Sequence, residues 1–296
     1  MVIAPGGHTV TMTTDEELRL AVDALGESIL VVGYGSAGRT ATTRVADGDL
    51  PATDAAETPD AVIVAADGSA VDANAAVELP ETPTAPMCLA AVTVPNRPSA
   101  GEQAALDAIA ERVDATIVAT GSGVVDLTAA VGALVSIVRE SGIVNIDLAD
   151  AQTVFRSVRT GALCVGESSI GDPATAVENA FGTLAAGIET DPARGVLVDL
   201  VGPPGMSVAD ISEAVSTVRA HVGPNAHVIW GGSIDDSMAD GIRARLVLAG
   251  VKNGRVAPGD RCPRCGSALS TYTLGERTIP SCESCGFAGV SVRLRD

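Results

Sequence analysis

Short apolar runs separated by helical stretches narrow the fold of this 296-residue chain more than anything else in it. Ile29–Val32, Ala61–Ala65, Leu89–Val94 and Ala115–Ala119 span four to six residues each. They are too short for helices and lack the alternation of a half-exposed strand, so they read as strands buried on both faces. Gly33-Tyr34-Gly35-Ser36-Ala37-Gly38 turns the first run into a helix, and Gly101–Val113 carries a helical pattern. Strands alternating with helices predict a parallel sheet covered on both sides.

Val124–Glu140 then reads as one long apolar helix, stopped by Ser141-Gly142. Beyond it, a helix is expected from Ala151, and another from Pro173 with Val177, Ala180, Phe181 and Leu184 on one face. Ser207 and Asp210 form a capping box ahead of the stripe Ile211, Val215, Val218, Val222. Gly195–Leu200, His227–Trp230 and Ile242–Val251 read as strands, the last with Arg243 and Arg245 alternating between aliphatics. This half is an α+β layer. Residues 14–25 add a short helix opened by a Thr14/Glu17 capping box.

Charge limits the partners. The net charge is −18, aromatics make up 2% of residues, and Lys252 is the sole lysine against eighteen arginines. So acidic and lysine-poor a surface suits molar salt, where screening removes self-repulsion. Such a chain is a poor general binder of nucleic acid or anionic lipid. No apolar stretch approaches the ~18 residues of a membrane span, and Met1–Gly7 has no secretory pattern. A cytoplasmic protein of an extreme halophile is the expectation. Residues 252–296 carry +3, leaving −21 for the rest, which marks a module boundary near Gly254–Gly259.

Four of the six cysteines form two C-x-x-C pairs, Cys262/Cys265 and Cys282/Cys285, with sixteen residues between them. Each short turn aims two thiolates at one point, and four thiolates make a closed tetrahedral site suited to structural Zn2+. Iron in a rubredoxin-like site is the alternative. Ser270–Ile279, broken at Gly275, supplies the hairpin of a zinc ribbon. Its arginines could touch nucleic acid weakly, but Tyr272 and Phe287 are few aromatics for a base-stacking surface. Cys88 and Cys164, between apolar neighbours, read as core residues. His8, His221 and His227 are scattered singly and suggest no catalytic triad.

The stretch GIVNIDLAD at 142–150, followed by AQTVF, resembles the synergy loop of the FtsZ/tubulin superfamily, FtsZ more than tubulin. AVTVPN (91–96), VDATIVA (113–119), GALCVGESSIGDPATAVENAF (161–181), ARGVLVDLVG (193–202) and residues 227–251 are similar to further family segments in the same order. The resemblance implies a trimmed Rossmann-like parallel sheet, a central helix and an α+β C-terminal domain. The expected organisation is a helical extension over 1–27, a shortened nucleotide-binding-type domain over 28–123, the central helix over 124–141, a C-terminal domain over 142–253 and the zinc ribbon over 259–296. The resemblance also implies that a neighbouring subunit's nucleotide meets the synergy loop. Asp147 and Asp150 would then polarise water and help hold a cation in trans, with Asn145 orienting the loop. The plainer reading makes Asp150 the N-cap of a helix from Ala151 and Asp147 an ordinary turn residue.

The nucleotide half departs from the family. The first glycine loop is GYGSAGRTA (33–41), with Arg39-Thr40 where Gly-Asn is expected. The second, expected after DAVIVAA (60–66), is replaced by Asp67-Gly68-Ser69-Ala70-Val71-Asp72. Its carboxylates would repel phosphate. The chain is short between 45 and 60, and Val124 and Val125 stand where the family holds guanine. Gly33, Gly35 and Gly38 still match G-x-G-x-x-G, so they are weak candidates for cofactor binding, but tight strand–helix packing demands the same glycines. GTP or GDP binding is therefore not the favoured reading. The expected function is a pseudo-GTPase that binds or caps FtsZ-type filaments, with self-association as a further outcome. A nucleotide-binding enzyme with an altered pocket, and a zinc-ribbon adaptor on an FtsZ-like scaffold, are the alternatives.

Overall fold

The computed structural model describes residues 28–46, 59–68, 85–95, 106–139, 142–184, 188–238, 240–253, 262, 267–274 and 277–286. The elements run β1 (Ile29–Gly33), α1 (Gly35–Ala46), β2 (Ala61–Asp67), β3 (Cys88–Val94), β4 (Ala115–Thr120), α2 (Gly123–Arg139), α3 (Leu148–Phe155) and β5 (Thr160–Ser168). They continue with α4 (Pro173–Gly182), β6 (Ile188–Glu189), β7 (Gly195–Gly202), α5 (Val208–His221), β8 (His227–Ile234), β9 (Ile242–Ala249), β10 (Lys252–Asn253), β11 (Ser270–Leu274) and β12 (Arg277–Ser281). The expected helix over 14–25 lies outside the described residues.

Eight strands form one sheet in the order β1-β2-β3-β4-β5-β9-β7-β8. β1 to β5 are parallel, as the short buried runs require, and β9 enters antiparallel between β5 and β7. β7 and β8 are parallel. β4 pairs β5 from Thr116 opposite Thr160 to Ala119 opposite Leu163, so hydrogen bonds join the first four strands directly to the strands of the C-terminal half. Every residue of β2 and of β7 is buried, which explains why neither run alternates.

One face of the sheet packs against α1, α2 and α3 through Ala41, Leu127, Val131, Leu134 and Phe155. On the other face, Leu106, Ile109 and Val113 cover β2 and β3, while α4 and α5 cover β5, β9 and β7 through Val177, Ala180, Ile211 and Val218. Truncating a fully buried Leu such as Leu127 or Leu246 to Ala costs about 2–5 kcal/mol. α4 sits close to β5: a side chain on Gly166 would strike the backbone of α4. β6 pairs β10, and β11 pairs β12 as an antiparallel hairpin where the ribbon was expected.

One element begins earlier than expected. α3 starts at Leu148 rather than Ala151, and its N-cap is Asp147, not Asp150. Asp147 has the extended backbone of an N-cap (φ −107°, ψ 174°), and Asp150 sits at the third helical position. The Ser207/Asp210 capping box falls where expected, and the helix from Pro173 is capped by Asp172.

Candidate functional site

The loop between α2 and α3 is held at four points. The Gly142 amide donates to Asn145 Oδ1 at 2.6 Å, which closes a tight turn. The Ile143 amide donates to the Gly232 carbonyl at 2.7 Å, and the Gly232 amide returns a bond to the Val144 carbonyl at 3.0 Å. A side chain at Gly142 would collide with that Gly232 carbonyl, so glycine is required there. Ile146 is buried beneath the loop, over Gly231.

The loop ends in a capping box. The Asp150 amide donates to Asp147 Oδ1 at 2.8 Å and the Asp147 amide donates to Asp150 Oδ2 at 3.2 Å. Capping therefore engages both carboxylates rather than the one expected. It uses one oxygen of each and fixes both groups at the start of α3. Asn145 and Asp147 are exposed and Asp150 half-buried, so all three expected residues come together on one surface. In the same loop Ile143 and Val144 are 57% and 37% exposed, and Ile234, the last residue of β8, is 37% exposed.

The glycine turn is explained by packing. A side chain on Gly33 would enter the backbone of Gly38 and Arg39, and one on Gly38 would strike the Ala65 carbonyl. Gly35 has φ +68° with open space around it, so its need is conformational. The Tyr34 amide donates to that same Ala65 carbonyl at 2.8 Å and draws the turn onto β2. At the end of β2, Asp67 is buried, and its Oδ2 accepts from the Gly123 amide at the start of α2 at 2.8 Å. Thr93 Oγ1 lies 3.5 Å from its other oxygen. Asp72 lies outside the described residues, and Val125 is exposed.

A cleft of about 560 Å³ runs between α2, where Ala129, Gly132 and Ala133 line it, and the strands β4, β5 and β9. Its far wall is charged. Arg245 pairs with Asp199 across β9 and β7 at 2.5 Å with both side chains buried, and Arg243 pairs with Glu167 at 2.7 Å. The arginines are legible in the alternation of β9, and Asp199 carries its own signal, since an Asp inside the aliphatic run Val196–Val201 calls for a buried partner.

In the hairpin module, Cys262, Cys282 and Cys285 bring their sulfurs within 4.8 Å of one another, with Cys262 and Cys285 3.6 Å apart. Cys265 lies outside the described residues. Zn–S bonds of ~2.3 Å in a tetrahedron set sulfurs ~3.8 Å apart, so the three thiols fit that ion. Cys164 is buried, which pushes its thiol up, and the half-buried Cys88 thiol is raised by burial and by the charge of Asp114. Neither is a poised nucleophile.

A sheet of this order, with a central helix and a capped loop beneath it, is the fold of the FtsZ/tubulin class. An empty FtsZ dimer from Methanocaldococcus jannaschii superposes with a TM-score of 0.61 at 19% identity, over 82% of this chain and 97% of that one. GDP-form TubZ protofilaments of Bacillus thuringiensis serovar israelensis superpose at 0.54 and 12%, over 83% and 92%. The family model for the FtsZ C-terminal domain matches residues 160–252. Cell division protein FtsZ 1 of M. jannaschii is 32% identical over 125 residues, 42% of this chain and 34% of that protein. FtsZ of Haloferax mediterranei is 27% identical over 131 residues, 44% and 35%. The sequence matches thus span about a third of each of these curated relatives. The chain is an FtsZ-like protein with an FtsZ-family C-terminal domain.

Proposed function

We propose that this FtsZ-like chain is a pseudo-GTPase that joins an FtsZ-type filament through the loop 142–147. The observation that carries the reading is the loop itself: fixed by Asn145 and Gly232, exposed, and presenting Ile143 and Val144 beside the carboxylates of Asp147 and Asp150. Side chains carried on a backbone already pinned need less ordering on docking. Head-to-tail contacts are heterologous, so a subunit with one working face joins a filament end and stops its growth. The relatives are named cell division proteins, and we place this chain in that process, in the cytoplasm, with self-association as a second outcome.

Two observations support the loss of nucleotide binding: packing accounts for Gly33 and Gly38, and a buried carboxylate faces the carboxyl ends of the strands, where open α/β sheets take their ligands. The ribbon is assigned a structural Zn2+ on Cys262, Cys282 and Cys285, with Cys265 as the fourth ligand. Such an ion supplies folding energy to a hairpin too small to fold alone.

Calorimetric titration with GTP and GDP in molar KCl is expected to show no binding; robust binding would replace the reading with that of a nucleotide-binding enzyme. Substoichiometric protein added to a polymerising archaeal FtsZ is expected to lower the sedimented fraction. The variant Ile143→Ser with Val144→Ser is expected to lose that effect. If it acts as strongly as the unmodified chain, the loop is not the docking surface.

A further inference from the structure

His221 is a titratable side chain that neither the loop 142–147 nor the hairpin module uses. It is the last residue of α5, and its ring is engaged at both nitrogens and on one face. Nδ1 lies 3.0 Å from the Thr217 carbonyl, one turn back on the same helix. Nε2 lies 3.2 Å from Glu178 Oε2 on α4. The ring stacks on Phe181, also on α4, with centroids 4.3 Å apart and an interplanar angle of 12°. The backbone carbonyl of His221 accepts from Thr190 Oγ1, on the turn after β6.

The two acceptors define what the ring must be. A peptide carbonyl and a carboxylate can only accept, so each nitrogen has to donate, and an imidazole that donates twice is the imidazolium. The neutral ring has one N–H, and its other nitrogen would turn a lone pair toward an oxygen. Two further features favour the cation: the carboxyl end of a helix and the face of an aromatic ring both attract positive charge. Glu178 is the sole charge on α4. On the other elements around the ring, Glu213 and Arg219 of α5, Glu189 of β6 and Asp191 after it are exposed, and Asp210 caps the opposite end of α5. The His221 and Glu178 side chains are 31% and 56% exposed, so their attraction is that of a solvated pair and weakens with salt.

We infer that His221 is a proton-operated clamp between α4 and α5: with both nitrogens protonated it ties the end of α5 to α4, and on losing a proton it releases that hold. The clamp is independent of the loop's role in docking. Its contribution is present below the ordinary imidazole range, near ~6.5, and lost as pH rises through it. The test is amide hydrogen exchange on the full-length, zinc-loaded chain at about pH 5.5 and about pH 8.5, either side of that range. Each variant is compared with the unmodified chain at the same pH, so that intrinsic exchange cancels. His221→Gln is neutral at both values. The factor by which it speeds exchange at 178–182 and 217–221 is expected to be about two- to fivefold larger at the lower pH, as an exposed ion pair implies. Glu178→Gln, at an exposed position, is expected to show a dependence of the same direction. An equal factor at both pH values for His221→Gln makes the ring a packing residue and overturns the inference, as does a larger factor at the higher pH. Should His221→Gln fail to fold, Glu178→Gln is read by the same criterion.

Discussion

Asp147 and Asp150 invite two explanations that a single alanine variant confounds, and the capping box lets them be separated. Asp147→Ala removes the acceptor that the Asp150 amide reaches at 2.8 Å. Loss of an N-cap acceptor costs about 1 kcal/mol, and in a domain of this size each kcal/mol lowers Tm by about 2–4 °C. Asp147→Asn keeps the cap, because asparagine ranks with aspartate at that position, and its Tm should stay within about 1 °C of the unmodified chain. Asp150→Asn likewise keeps an oxygen for the Asp147 amide, 3.2 Å away, losing only its favourable charge at a helix amino end. The double Asn variant therefore folds with the loop unchanged while both charges are gone. Thermal unfolding by circular dichroism checks the first half of the expectation. GTP turnover by FtsZ with rising amounts of each variant checks the second: the double Asn variant should still dock but leave turnover at the bare filament's rate. If Asp147→Ala melts together with Asp147→Asn, the capping box contributes nothing. If the double Asn variant changes turnover as fully as the unmodified chain, the carboxylates have no part in the neighbour's site.

The other expectations are structural. Arg245→Ala should destabilise the fold by about 3–5 kcal/mol by removing the guanidinium that faces the buried Asp199 carboxylate, whereas Arg245→Met with Asp199→Leu should recover most of it; urea unfolding measures both. Chelation of zinc should unfold the hairpin of β11 and β12 and leave the eight-stranded sheet intact, seen as loss of amide dispersion confined to residues 262–286. The hydroxyl and amide of Thr175, with the Ala174 amide, hold the Asp172 carboxyl below its usual range. Its contribution is then present above the unfolded value near ~3.9 and lost as pH falls through the lower folded one. The gap in Tm between the unmodified chain and Asp172→Ala should narrow below about pH 4.

Much of the fold could be read from the chain because buried strands and amphipathic helices leave periodic traces. β1 to β4, α2 and α5 fall where the apolar runs and caps place them. The start of α3 did not, since Asp147 and Asp150 are both competent caps three residues apart and only backbone geometry chooses between them. The join of β4 to β5 was also invisible, because strand pairing across 44 residues, Thr116 with Thr160, has no local signature. In the sequence Asp67 is only a charge that repels phosphate; its burial and its bond to Gly123 depend on two segments meeting at one end of the sheet. The cysteine spacing was legible in full, and three of the four sulfurs lie together among the described residues.

The continuous sheet has a mechanical side. Pulled along its strands, the molecule loads β4 against β5 in shear, so that all the backbone bonds of that seam must break together rather than one after another. The seam has four paired positions, against eight between β5 and β9 and seven between β7 and β9. Tension applied across the two halves would therefore part this chain first between Thr116–Ala119 and Thr160–Leu163, leaving each half folded on its own helices.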